Sequence, residues 1–338
     1  MAVLKAVKDF IVNSFKFPEP YNWGYPVFFA AIGAAASVFL LKLMFSGAFP
    51  FSSTSLIGAA ITVLVLVMLA FFIPSVIIAE KCGLDITGRY TGIGALILSF
   101  LSGAPLYLIK ASFHNLCVAG WLRINGSIVF PGIFYHLDQI SVQTLLLSIL
   151  IDTVIPAFGF GLFFLGVVWQ GFSEKNKRWA FVIIPVLFAL FSFNFLDVVG
   201  ILVIGWWLCI VRSNTENIYG PVLALIGSRF TGILIGSIIE EIDITTVRVY
   251  SDIPNTIYYA SVPALIVAVV LLAFFRKTLG EFHYSYTKST GVFGDSRLPE
   301  EKDGGKAGSL LRGFNLTLIL GIIVLIVFWF LLFDGQRI

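Results

Sequence analysis

The chain has 338 residues, of which 58% are hydrophobic and only 12% are charged. Its mean hydropathy of +0.96 lies far above that of water-soluble globular proteins and excludes that class. The net charge of +3 comes from basic residues between apolar segments, so it gives no support for nucleic-acid binding. We therefore predict an all-α, polytopic integral membrane protein of the cell or plasma membrane.

Residues 1–23 carry three lysines and apolar residues at helical spacing, which predicts an interfacial helix or, as the alternative, a frayed polar tail. Apolar windows long enough to cross a bilayer follow this segment. There are nine of them, at about 24–46, 56–79, 92–109, 141–170, 179–195, 197–211, 218–238, 256–275 and 313–333. The semi-apolar stretch 110–140 adds a tenth if it contains a re-entrant or surface helix.

The basic residues predict the orientation of these spans, because cytoplasmic loops are enriched in Lys and Arg. With the N-terminus inside, the inner connections and the N-terminal segment hold 16 of the 22 basic residues. The alternation agrees at every loop, so we predict an inner N-terminus and an outer C-terminus.

The spans divide into three regions after the N-terminal segment. We predict N-terminal helices with an outer segment at 24–140, a central core at 141–238 and C-terminal helices at 239–338. Within the last region, the inner loop 276–312 is polar, mixed in charge and rich in turn formers, which predicts a mobile tether or a docking site for a cytoplasmic partner.

The chain contains no nucleotide-binding, catalytic-triad or zinc-binding sequence motif. Its three cysteines, Cys82, Cys117 and Cys209, fall in different parts of the predicted topology and form no CxxC pair. His114 and Cys117 have a spacing compatible with a metal, and His136 lies in the same outer segment. Chance polar residues explain this pattern better, so we predict neither a metal nor a cofactor.

A frame of aromatic residues, glycines and one proline runs through the central core. It passes through Gly171 after the fourth span, Phe188 in the fifth and Pro221 in the seventh. This order resembles the CAAX protease and bacteriocin-processing family of intramembrane proteases. Aligned on these anchors, the motif positions of the family fall at Leu165 and Gly166 for two glutamates, Gln170 for an arginine, Ser192 and Leu225 for two histidines, and Arg229 for an asparagine.

The resemblance implies a hydrolysis in which a glutamate activates water while histidines and an asparagine stabilise the oxyanion. Such chemistry needs a titratable base and hydrogen-bond donors. Leu165 and Gly166 provide neither, and Gln170 and Ser192 do not titrate near neutral pH. The resemblance therefore implies a non-catalytic member of the family, a scaffold or accessory subunit that binds a membrane partner, a peptide or a lipid.

An acidic cluster at Glu240, Glu241 and Asp243 follows the seventh span. We interpret it as a solvated cap on the outer side, because charge clusters in loops are usually solvated. The alternative is a divergent intramembrane metalloprotease with relocated catalysis, in which His114 or His136 supplies the partner.

Two ionisable residues fall near the middle of predicted spans, Asp152 in the fourth and Arg229 in the seventh. A charge at that depth costs several kcal/mol unless it is paired, so we hypothesise that they pair among Gln170, Ser192 and Ser228. The pair either fixes helix packing or forms the site of a small ion- or proton-coupled transporter.

Small residues at helical spacing, such as Gly33 in the first span and Gly232 with Gly236 in the seventh, predict close helix packing. The first of these is also suited to homo-oligomerisation or to contact with a membrane-protein partner, in addition to membrane lipids. Asn125 begins a sequon on the predicted outer side and would accept a glycan in a glycosylating organism.

Overall fold

The structure is a computed structural model. It describes residues 23–44, 56–88, 92–126, 149–172, 177–192, 195–236, 238–242, 247, 250–253, 255–289 and 316–334. The predicted interfacial segment before Trp23 and the residues between Gly126 and Ile149 lie outside the described part of the chain.

Helices account for every regular element among the described residues. They are α1 (Gly24–Met44), α2 (Leu56–Val67), α3 (Ile73–Cys82), α4 (Ile93–Leu101), α5 (Gly103–Asn125), α6 (Ile155–Phe160), α7 (Lys177–Leu190), α8 (Val198–Thr215), α9 (Tyr219–Ile235), α10 (Asn255–Ser289) and α11 (Leu316–Asp334). A short 3₁₀ helix forms at Tyr250–Asp252, and one isolated bridge joins Gly88 to Asn217. The all-α membrane class predicted from the sequence is confirmed in this part of the chain.

Two π-helical turns precede prolines. Met68–Phe72 joins α2 to α3, which begins beside Pro74, and Leu150–Val154 leads into α6, which begins beside Pro156. A proline has no N–H and its ring clashes with the preceding turn, so a wider turn before it keeps the helix continuous. A third π-helical stretch, Gly161–Val168, continues α6 into the part of the core where the predicted frame begins.

Five stretches are long and apolar enough to cross a membrane. They are Gly24–Leu41, Ala60–Cys82, Ile93–Asn125, Val198–Thr215 and Tyr259–His283. Shorter apolar helices cover Ile155–Val168, Tyr219–Ile235 and Leu316–Trp329. Each of the nine predicted windows contains a helix, but the number of crossings and the orientation of the termini stay predictions.

Two predicted connections are partly helical. The predicted outer segment 110–140 begins inside α5, which extends to Asn125 and packs one face against Leu196, Ile242 and Ile253. The inner loop predicted from residue 276 begins inside α10, which continues to Ser289 and buries Leu279 against the bundle. The rest of that loop lies outside the described residues.

Close packing of aromatic rings and helix backbones forms the centre of the bundle. The ring of Phe71 lies 4.9–5.7 Å from those of Phe160, Phe163, Phe164 and Phe191. Gly33 lets α1 approach the π-helical turn after α2 so closely that an added Cβ would stand 2.1 Å from the carbonyl oxygen of Leu69. Gly33 therefore packs inside the bundle.

Candidate functional site

A small cavity lies where the π-helical stretch Gly161–Val168 meets α7, α8 and α9. Its lining is entirely apolar: Phe160, Phe164, Leu165, Ile184, Phe188, Gly205, Leu208 and Leu225. Three of these residues, Leu165, Phe188 and Leu225, come from the separate segments of the predicted frame. The fold thus brings to one place the positions that the resemblance aligns with a glutamate, an aromatic anchor and a histidine.

The residues beside Leu165 leave little room for a larger side chain. A Cβ added at Gly166 would stand 3.2 Å from the Cβ of Ile86, so a side chain there requires Ile86 to move. The Nε2 amide of Gln170 donates a hydrogen bond to the backbone oxygen of Asp85 at 3.1 Å, and its side chain is exposed. Neither Gly166 nor Gln170 adds an acid or a base to the cavity lining.

A buried cation lies beside the cavity, against the backbone of Leu165. Arg212, in the last turn of α8, is only 5% exposed, and its Nε donates to the backbone oxygen of Leu165 at 3.0 Å. Two carboxylates, those of Asp85 and Glu216, act on it electrostatically from beyond ion-pair distance. The pKa of Asp85 lies below its usual value mainly because Thr87 and the Gly88 N–H donate to its carboxylate.

The structure does not gather the predicted intramembrane polar residues into one site. Trp169 packs against Phe181 in the first turns of α7, whereas Ser192 follows the last turn and bonds to the oxygen of Ala189 at 2.7 Å. Gln170, beside Trp169, and Ser192 therefore lie at opposite ends of that helix.

Ser228 is buried against the α4–α5 junction, where a Cβ added at Gly103 would stand 2.3 Å from its backbone nitrogen. The neighbouring Arg229 is exposed. The side chain of Asp152 lies outside what the structure describes, so its pairing with Arg229 stays a prediction.

A second polar cluster lies at the other end of the bundle, where residues 238–242 run along one face of α5. Tyr107 donates to the oxygen of Ile239 at 2.9 Å. Asn115 donates to the oxygen of Glu240 at 2.9 Å and accepts from the nitrogen of Ile242 at 2.8 Å. Because positions 107, 110, 114 and 115 share a helix face, this short segment is anchored along two turns of α5. We call residues 238–242 the strap.

An ion pair to Glu241 and a histidine that bonds Ile242 complete the anchoring of the strap. Lys110 donates to both carboxylate oxygens of Glu241, at 2.7 and 2.8 Å. The Nδ1 of His114 lies 2.6 Å from the carboxylate of Asp197, and its Nε2 lies 3.0 Å from the carbonyl oxygen of Ile242. A carboxylate and a carbonyl only accept, so both ring nitrogens of His114 donate and the ring is an imidazolium.

Burial and charge act in opposite directions on the two carboxyls of this cluster. Burial raises the pKa of Asp197, but Lys110 and His114 outweigh it and hold that pKa below its usual value. Burial likewise raises the pKa of Glu241, and Lys110 and His114 again lower it below the usual value. Both carboxyls are therefore ionised at neutral pH.

This arrangement uses the donors and acceptors of the cluster to hold the strap. Both oxygens of Glu241 face Lys110, and both nitrogens of His114 have acceptors, so neither side chain presents a free base here. Among the described residues, no three His, Cys, Asp or Glu side chains converge as metal ligands. Glu240 is exposed, as expected for a solvated cap, while Asp243 and His136 lie outside the described residues.

Other predicted residues are placed as follows. Asn125 is exposed at the end of α5, and the serine of its sequon lies outside the described residues. The three cysteines are free thiols, and Cys209 is buried. The sequence assigns no function to Asp197, which it places in a short connection, or to Arg212, which it places among the loop charges. The helical spacing of Tyr107, Lys110 and His114 indicates a shared polar face of α5, but not the segment that covers it.

The fold and the cavity define a multi-pass helical membrane protein with an apolar centre in its core. Residues 142–231 match the family model for Type II CAAX prenyl endopeptidase Rce1-like proteins. The match covers about a quarter of the chain, includes Leu165 to Arg229, and confirms the predicted resemblance. No curated protein and no solved structure matches the chain.

Proposed function

We propose that the protein is a non-catalytic relative of the Rce1-like proteases, acting in the membrane as a scaffold or accessory subunit that binds a membrane partner, a peptide or a lipid. The observation that carries this proposal is the entirely apolar lining of the cavity where Leu165, Phe188 and Leu225 meet. Hydrolysis of a peptide bond needs a base to activate water and donors to stabilise the oxyanion. Leucine at two motif positions supplies neither.

The charge beside the cavity also supports a non-catalytic role. The guanidinium of Arg212 reaches the backbone of Leu165, the position aligned with a glutamate. A divalent cation held near this position would be repelled by that buried positive charge. Leu165 therefore lies in a local field that disfavours a metal-bound water.

The exposed side of α10 offers a surface for a membrane partner. Only 28% of the Tyr259–His283 window is buried inside the protein, against 44–56% for the other four long spans. Its exposed apolar side chains recur at helical spacing: Tyr259, Val262, Ile266, Val270 and Phe274. A partner helix packed on this stripe would cover the span that the protein itself covers least.

Cleavage of a prenylated CAAX peptide by the reconstituted protein tests the absence of catalysis. We expect no cleavage above that of empty liposomes, because no described side chain at the cavity can activate water. A matched Glu241→Ala variant tests relocated catalysis. Cleavage by the wild type that this variant abolishes would contradict the proposal and support the metalloprotease alternative.

Photo-crosslinking in the native membrane tests the scaffold role. A crosslinking amino acid at Ile266, 64% exposed on α10, should give a discrete protein adduct. The same amino acid at Phe39, 65% exposed on α1, is the matched control and should crosslink only to lipid. Lipid adducts alone at both positions would argue against a partner on α10.

A further inference from the structure

Arg212 is a buried cation whose hydrogen-bonding capacity is only partly used. Its Nε bonds to the carbonyl oxygen of Leu165, while no hydrogen bond or ion pair to a described residue reaches either of its Nη nitrogens. A guanidinium offers five donors in a planar fork, and burying its charge without a direct counterion is unfavourable. The guanidinium therefore keeps donors that no described residue uses.

The surroundings of Arg212 change from polar to apolar along one face of α8. Leu208 lies one turn deeper than Arg212, and Gly205 nearly two turns deeper, and both line the apolar cavity. Arg212 itself lies in the last turn of the Val198–Thr215 span, at the depth where a helix leaves the hydrocarbon for the headgroup region. This order, cationic at the boundary and apolar inside, matches the polarity of an anionic lipid.

We propose that Arg212 binds the phosphate group of an anionic membrane lipid at the end of the bundle that the charge pattern predicts to be cytoplasmic. The planar fork of an arginine pairs with two oxygens of a phosphate at once. The lipid chains lie along the bundle beside α8, in the direction of the cavity. This site goes beyond the scaffold role and does not depend on a protein partner.

The nearby carboxylates tune this site. Glu216, one turn beyond Arg212, is exposed and contributes negative charge at the same end of α8. It weakens the attraction for an anion without bonding to the fork. Removing its charge should tighten lipid binding, whereas removing the guanidinium should abolish it.

Lipid binding to the full chain in detergent tests the proposal, with native mass spectrometry and phosphatidylglycerol as the probe and phosphatidylcholine as the reference lipid. We expect Arg212→Gln to bind phosphatidylglycerol roughly 10- to 100-fold more weakly, the loss of a charge-assisted pair. The matched control, Arg178→Gln, removes an exposed basic residue at the start of α7 and should change binding by less than about twofold.

A gain-of-binding variant keeps the test valid if Arg212→Gln fails to fold. Glu216→Gln should bind phosphatidylglycerol about threefold more tightly at low salt, because it removes a partly screened opposing charge. Unchanged affinity in both Arg212→Gln and Glu216→Gln would overturn the proposal, as would equal losses in Arg212→Gln and Arg178→Gln. Displacement of the lipid by millimolar inorganic phosphate would instead assign the site to a soluble phosphate and overturn the lipid as its source.

Discussion

Replacing Asp197 with alanine should loosen the strap, because Asp197 orients the His114 ring that donates to the strap carbonyl of Ile242. Asp197 and His114 are 7% and 6% exposed, and their 2.6 Å contact is the shortest ionic contact of the strap anchors. Removing one partner of a buried pair typically costs 3–5 kcal/mol. We expect the free energy of unfolding to fall by about 3 kcal/mol, the low end of this range. The reason is that His114 can lose its proton in the variant, so no unpaired charge stays buried and only a hydrogen bond is lost.

The neutral variant Asp197→Asn separates charge from hydrogen bonding. Its side-chain oxygen still accepts from the Nδ1–H of His114, so we expect a loss of about 1 kcal/mol. The free energy of unfolding, measured with SDS in mixed micelles, ranks the two variants. Hydrogen–deuterium exchange of peptides covering residues 238–242 should accelerate in Asp197→Ala and change little in Asp197→Asn.

A double-mutant cycle decides whether loss of the His114–Asp197 pair causes the destabilisation. Asp197→Ala and His114→Ala should together destabilise the protein less than the sum of the single changes, by roughly 1–3 kcal/mol. Strict additivity, or unchanged exchange of the strap in Asp197→Ala, would refute the role assigned to this pair.

Two further predictions concern the opposite ends of the bundle. Gly88→Ala should lower the free energy of unfolding by more than 2 kcal/mol, because a Cβ at φ +76° would stand 2.1 Å from the carbonyl oxygen of Glu216. Gly83→Ala, at φ +60° with open space around it, is the control and should lower it by about 1 kcal/mol. A thermal or SDS unfolding series measures both. For Glu241, whose pKa is lowered on folding, the stabilisation by Lys110 is present above the unfolded pKa and lost as pH falls through the folded one. Glu241→Gln should thus destabilise the protein by about 1 kcal/mol at pH 7. This difference should shrink as the pH falls below about 4.3, the pKa of an unfolded glutamate, and an equal difference at neutral and at acidic pH would contradict the assignment.

The family resemblance was visible in the sequence because its signal is local. Gly171, Phe188 and Pro221 keep their order and spacing in a single chain, and the family match over 142–231 confirms the resemblance they indicated. Local order alone left open whether Leu165 and Leu225 meet. They meet because α9 packs beside the π-helical stretch that follows α6.

The hypothesis of an intramembrane polar site shows the opposite case. Polar side chains are costly in apolar helices, so the sequence indicates how deep such a residue lies in the membrane. It does not indicate towards which neighbouring helix the side chain points. The structure places Gln170 and Ser192 at opposite ends of α7, since Gln170 ends the span that precedes the helix and Ser192 follows the last turn of the helix.

The sequence by itself determined the class of this protein. Apolar windows of bilayer length specify helices, because a chain in lipid must satisfy its backbone hydrogen bonds internally, and each predicted window contains one. Only the tertiary structure decided which polar residues meet. His114 and Asp197 are 83 positions apart, and Arg212 reaches Leu165 across 47. Helical periodicity reports which face of a helix is apolar, whereas the neighbour of that face depends on how all the helices pack together.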